Sequence, residues 1–322
     1  MPNGNLKHFA HLHLIVFIWG FTAVIGKLIS IDALPLVWYR MAMAMLMVMI
    51  YIKVMRFSWR LPIRTVLGLL GTGAIIALHW VTFFKAIKIS NVSIALACMS
   101  VGALFAAFLE PLWYKRKLVG YEVLFGLMVV FGLGVIFKVE TQYWQGILLA
   151  VTSAFLVAVF SMINGLYIAR LKPSVIVLYE MAGGVLLLSL YLVFTGAFTK
   201  DFWAVSSSDI GYLFLLASLC TAYAFIASVK LMAFISPYSV MLTTNLEPVY
   251  GIVLAFFVFG SSEQMTPMFY IGASVILLTV IANGILKNRL KLKTKTKVYI
   301  VAYKFYICQL LPIKTPYGVF RF

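Results

Sequence analysis

The chain has 322 residues, of which 64% are hydrophobic and 11% charged, with a mean hydropathy of +1.04 and a formal net charge of +17. A soluble domain of this length needs far more polar covering, and a disordered chain far less apolar content, so both classes are excluded. The apolar residues form long unbroken runs, unlike the short alternating strands of a membrane barrel. The basic residues cluster between those runs, so the charge reads as membrane topology rather than nucleic-acid binding.

A helix needs about 20 apolar residues to cross the hydrocarbon layer. In chain order the runs predict ten spans, at roughly 10–31, 34–53, 64–84, 90–112, 119–138, 145–167, 174–196, 209–231, 237–259 and 267–287. The first follows Lys7 as a signal peptide would. No small-residue cleavage pattern follows it, and the apolar run resumes at Leu28-Ile29, so it reads as a retained helix. The links are short and carry turn chemistry: Asp32 with Pro35, Ser90-Asn91, Lys172-Pro173-Ser174, Ser206-Ser207-Ser208-Asp209, Ser236-Pro237 and Ser261-Ser262.

Placing the N-terminus in the cytoplasm puts Lys53, Arg56, Arg60 and Arg64, then Lys115, Arg116 and Lys117, then Arg170 and Lys172, Lys230 and the basic tail inside. Only Lys27, Lys85, Lys88, Lys138 and Lys200 fall outside. That bias predicts a multi-pass protein of the cell (inner) membrane with both termini cytoplasmic. The tail, 288–322, carries Lys291, Lys293, Lys295 and Lys297 and then an aromatic stretch too short to span. It reads either as an interfacial segment on an anionic leaflet or as an extension without function.

The two halves echo each other. Ser90-Asn91-Val92-Ser93 and Ser236-Pro237-Tyr238-Ser239 precede the fourth and ninth spans. Gly126 maps onto Gly272 at the same offset, and Tyr39-Arg40 onto Tyr179-Glu180 at a slightly different one. Five spans per half is odd, so the second half enters the membrane the opposite way. The fold class predicted is an all-α polytopic membrane protein of two inverted five-helix repeats, 1–140 and 141–287. Transporters use that arrangement to hold a substrate near mid-membrane.

Charged groups at mid-bilayer cost about 2.5–3.5 kcal/mol each on insertion scales, so they face a cavity or a partner. Arg40, Glu180 and Glu247 stand in that position. Arg40 and Glu180 read either as a pair along the pathway or as a structural salt bridge between the second and seventh spans. Glu247 precedes Pro248 in the ninth span; the proline frees the carbonyl of Thr244, with Thr243 and Asn245 beside it. Glu247 is a candidate for proton coupling or for packing. His79 and Trp80 lie deep in the third span, where a neutral imidazole could contact substrate or bond a neighbouring helix. Trp19, Tyr39, Trp80, Tyr179 and Tyr250 could line an apolar cavity with polar tips. Glu110, near Lys115, Arg116 and Lys117, reads as an interfacial ion pair.

His8, His11 and His13 have no carboxylate or cysteine nearby, and Cys98, Cys220 and Cys308 are far apart, so neither a metal site nor a disulfide framework is expected. No nucleotide-binding loop, His-Glu-x-x-His or Gly-x-Ser-x-Gly occurs, so no cofactor or catalytic residue is expected.

Trp19-Gly20 through Lys27, Arg40, Ser236-Pro237 and Asn245-Leu246-Glu247-Pro248-Val249-Tyr250 together resemble the EamA family of the drug/metabolite transporter superfamily over residues 10–287. Ser153 to Phe160 resembles the second-half counterpart of the opening motif, with Val157 where a tryptophan is frequent. The resemblance implies a secondary transporter, commonly an exporter of amino acids or similar small metabolites. Arg40, His79, Trp80, Glu180, Asn245, Glu247, Trp19, Tyr39 and Tyr179 are then the expected substrate-binding residues. Expected partners are the small-molecule substrate, the lipid bilayer and a coupling proton. The alternative is an intramembrane enzyme acting on a lipid or isoprenoid.

Overall fold

The structure is a computed structural model that describes residues 3–113, 120–235, 240, 243–244, 246–279, 281–283 and 285–286, with the side chains of 3–6, 103, 110, 122 and 123 left aside. Ser236-Pro237, Asn245, the Lys115–Lys117 cluster, the Glu110 side chain and the 288–322 tail lie outside the described residues. Residues 1–280 form one compact unit and 281–322 another.

The described residues of the larger unit are helical, without strands. In order the helices are α1 (Asn3–Leu28), α2 (Ala33–Val54), α3 (Ile63–Ile89), α4 (Val92–Met99), α5 (Gly102–Trp113), α6 (Gly120–Val139), α7 (Trp144–Tyr167), α8 (Pro173–Phe194), α9 (Lys200–Trp203), α10 (Ser207–Leu215) and α11 (Ala224–Leu231); the last long helices begin at Glu247 and Pro267. Among the described residues, seven helical stretches are long and apolar enough to span a membrane, and Leu124–Val139 and Pro267–Asn283 are shorter apolar helices.

Local chemistry sets the helix starts. Asn91 accepts from the Ile94 amide at 2.8 Å, Ser206 accepts from the Asp209 amide at 3.1 Å, and Pro173 sits in the first turn of α8, where no amide donor is needed. Pro248 behaves the same way. Leu246 is in a turn and Glu247 opens a new helix, so the proline sits in the first turn of a helix start rather than inside one unbroken ninth span.

The helix ends repeat between the halves. After α2, the Arg56 amide donates to Lys53 O and the Phe57 amide to Ile52 O. After α8, the Gly196 amide donates to Val193 O and the Ala197 amide to Leu192 O. Both are the same left-handed cap, with φ of 51° at Arg56 and 65° at Gly196.

Packing is tightest where glycines let backbones touch. A side chain at Gly73 would strike the Glu180 carbonyl, and one at Gly183 the Leu70 carbonyl, so α3 and α8 cross backbone to backbone. α6 meets the Pro267–Asn283 helix in a contact that is symmetric under exchange of the halves. A Cβ on Gly132 would lie 2.7 Å from Ile276, and one on Gly272 would lie 2.9 Å from Ile136. Within this packing, side chains of α1, α2, α3 and α7 line a common interior.

Candidate functional site

That interior holds a cavity of about 90 Å³. Its wall brings together Trp19 from α1, Arg40 from α2, His79 and Trp80 from α3, and Glu247 from the helix it opens. Phe83, Phe160, Phe225 and Met99 make most of it apolar, while Ser161, Ser228 and Thr244 add hydroxyls.

Arg40 is 1% exposed. Its guanidinium lies 4.0 Å from the Trp80 ring centroid, and its Nε donates to Thr221 Oγ1 at 2.6 Å. Nη1 is buried without a hydrogen-bond partner. Thr221 belongs to a π-helical segment, Leu216–Tyr223, between α10 and α11. The wider turn lets Thr221 Oγ1 donate to Leu216 O, five residues back, at 2.7 Å while it accepts from Arg40. It also leaves the Cys220 carbonyl for the Trp19 indole, which donates to it at 3.1 Å. One irregular stretch thus positions two cavity side chains.

His79 is fixed by Ser153 on α7. Its Nδ1 lies 3.0 Å from the Ser153 carbonyl and 2.7 Å from Ser153 Oγ, and Oγ donates to the His79 carbonyl at 2.8 Å. A carbonyl can only accept, so Nδ1 carries a proton; in a neutral ring Nε2 is then a bare acceptor. Glu247 faces the same cavity as Arg40, and no ion pair joins the two.

The other expected residues lie elsewhere. Glu180 is fully buried but does not line the cavity. Its carboxyl and the side-chain amide of Asn164 face each other, and neither makes a well-formed hydrogen bond to any other group among the described residues. The expected Arg40–Glu180 pair is not formed, in either reading. Arg40 turns towards Trp80 and Thr221, and Glu180 towards Asn164, so the two charges point at different helices. Tyr39 donates its hydroxyl to Phe202 O at 3.0 Å within a cluster of Trp38, Phe198 and Trp203. Tyr179 donates to Trp59 O at 2.9 Å. Each hydroxyl holds a connecting segment, at opposite ends of the molecule. His8 stacks on Phe234 with centroids 4.2 Å apart, and His11 Nε2 meets the Tyr223 hydroxyl at 3.0 Å.

Sequence reasoning missed Thr221, Cys220 and Ser153 as partners. A neutral hydroxyl or a backbone carbonyl within an apolar run leaves no signal in composition.

No match was found among curated protein sequences. A solved chain titled "Crystal structure of protein" matches with a TM-score of 0.62 at 14% identity, covering 85% of this chain and 97% of its own, which shows a shared fold. The model of the EamA-like transporter family matches residues 10–138 and again 144–285. Two family segments account for nearly the whole helical region, and the chain belongs to the EamA-like transporter family.

Proposed function

We propose that this protein exports amino acids or similar small metabolites by alternating access. Ten spans form two inverted five-helix repeats, 1–140 and 141–287, in the inner membrane with both termini cytoplasmic. The single observation that carries the reading is the cavity itself: Arg40, with a buried unpartnered Nη1, and Glu247 face one aromatic hollow without pairing. A buried guanidinium nitrogen without a partner is costly, and a zwitterion can engage both groups at once. Its carboxylate meets Arg40 and its ammonium meets Glu247. The Nε2 of His79 accepts a further proton donor, and the aromatic wall takes the apolar remainder.

The contact between Ser153 and His79 looks like a nucleophile and its base. With the Nδ1 proton directed at the Ser153 carbonyl, that nitrogen cannot accept from the hydroxyl, which speaks against the lipid-enzyme alternative.

The test is flux in proteoliposomes loaded with labelled amino acids. Protein-dependent movement of a solute that also raises the melting temperature of the detergent-solubilised protein supports the proposal. No movement of any zwitterion across such a panel contradicts it. Proton coupling is tested in the same vesicles: flux that follows an imposed pH gradient supports it, and flux unchanged when the gradient collapses makes the protein a facilitator.

A further inference from the structure

Beyond the cavity, three buried carboxylates lie at one end of the molecule, and each holds a segment distant in sequence. Glu263, 1% exposed, pairs with Lys27 Nζ at 2.6 Å. It also accepts from the Val92 amide at 3.1 Å, the Ser93 amide at 2.9 Å and Ser93 Oγ at 2.8 Å. Asp209, 2% exposed, accepts from the Ser30 amide at 2.8 Å and Ser30 Oγ at 2.6 Å. Glu140, 2% exposed, accepts from Thr266 Oγ1 at 2.9 Å. Glu263 and Asp209 belong to the second family segment and hold the first; Glu140, between the segments, holds the second.

This layer lies outward of the cavity. Lys27 is eight residues beyond Trp19 on α1, about 12 Å of helix, and Ser93 is just over one turn and a half before Met99 on the α4 side. It is also mounted on hinge-like backbone. Glu263 ends a short 3₁₀ turn that starts at Gly260, whose φ is 58°, and Ser30 and Asn91 sit in the brief links after α1 and α3. Charge-assisted hydrogen bonds are strong when formed and readily exchanged for water when parted, which suits a contact that must be all-or-none.

We propose that Glu263 and Asp209 form the gate on this side of the pathway. With their bonds to Lys27, Ser30, Val92 and Ser93 made, the two halves are clasped and the cavity is sealed from this end. Breaking them opens this end as the opposite end closes. The proposal rests on alternating access but on no particular substrate.

The test is hydrogen exchange of the full chain in lipid nanodiscs, without ligand, comparing wild type with Glu263→Gln. Exchange over 27–32, 89–95 and 259–266 is expected to rise on the order of tenfold. Exchange over the opposite end, 53–63 and 167–180, is expected to fall, because a gate shifts the balance between two states. A purely structural bond would loosen its own end, or the whole molecule, with no protection gained elsewhere; that result, or no change, overturns the proposal. If Glu263→Gln does not fold, Lys27→Met carries the same test with a smaller shift, because it removes the ion pair and leaves the Val92 and Ser93 amides bonded. The reciprocal pattern requires no transported solute, so the gate can fail while the cavity reading stands, and the reverse.

Discussion

The cavity and the Ser30 end both bury charge, and they treat it in opposite ways. At the Ser30 end the charge is saturated: Glu263 receives an ammonium, two amides and a hydroxyl. In the cavity, Arg40 keeps one nitrogen without a partner, and Glu247 stands off from it. A saturated carboxylate holds parts of the chain together, whereas a guanidinium with an open nitrogen is held ready for something that arrives. Glu180 and Asn164 make a third case: two buried polar side chains that face only each other, away from the cavity wall.

The largest effect should come from breaking the saturated site. Glu263→Ala strands Lys27 and two backbone amides, and should cost about 3–5 kcal/mol of stability. The readout is a drop in the melting temperature of the purified protein; a melting temperature equal to that of wild type would show the clasp to be solvated. Next comes Arg40→Ala, which should leave the protein folded and weaken zwitterion binding on the order of 100-fold by removing a charged hydrogen bond. Ligand titrations followed by thermal shift check it. Arg40→Lys should rescue little, because one ammonium cannot hold Thr221 and a carboxylate in the planar fork of a guanidinium. Trp80→Leu removes the ring under Arg40 and should cost about 1–2 kcal/mol of binding, read in the same titration.

The smallest effect lies away from both regions. Arg56 adopts at the end of α2 the left-handed backbone that Gly196 adopts at the end of α8. Arg56→Gly should therefore raise stability by about 0.5–1 kcal/mol, with flux unchanged. Gly196→Arg should lower stability by a similar amount.

The charged cavity residues were legible because a charge inside an apolar run is conspicuous, which is how Arg40 and Glu247 stood out. Trp19 stood out in the opening motif, and His79 and Trp80 as polar or large groups deep in the third span. Sequence could not say which way Glu180 points: its equivalence to Arg40 suggested a pair, but α3 packs against α8 through Gly73 and the two side chains diverge. Tyr39 and Tyr179 matched as repeat positions, and in the structure each hydroxyl donates to a backbone carbonyl of a connecting segment, so both hold loops rather than line the cavity. The π-helical stretch had no sequence signature, so the partners it supplies, Thr221 and the Cys220 carbonyl, were invisible. Asp209 read only as part of a polar link, and Glu263, just after the Ser261-Ser262 link, gave no signal, because their partners are 170 or more residues away along the chain.

The most direct test of the cavity is a set of three variants reconstituted side by side. Flux of a transported zwitterion is measured in Arg40→Ala, Glu247→Gln and Glu180→Gln, each at matched folding. Loss of flux in the first two with flux retained in Glu180→Gln is the predicted result. Full flux in Arg40→Ala and Glu247→Gln, with loss only in Glu180→Gln, would place the site elsewhere and contradict the account.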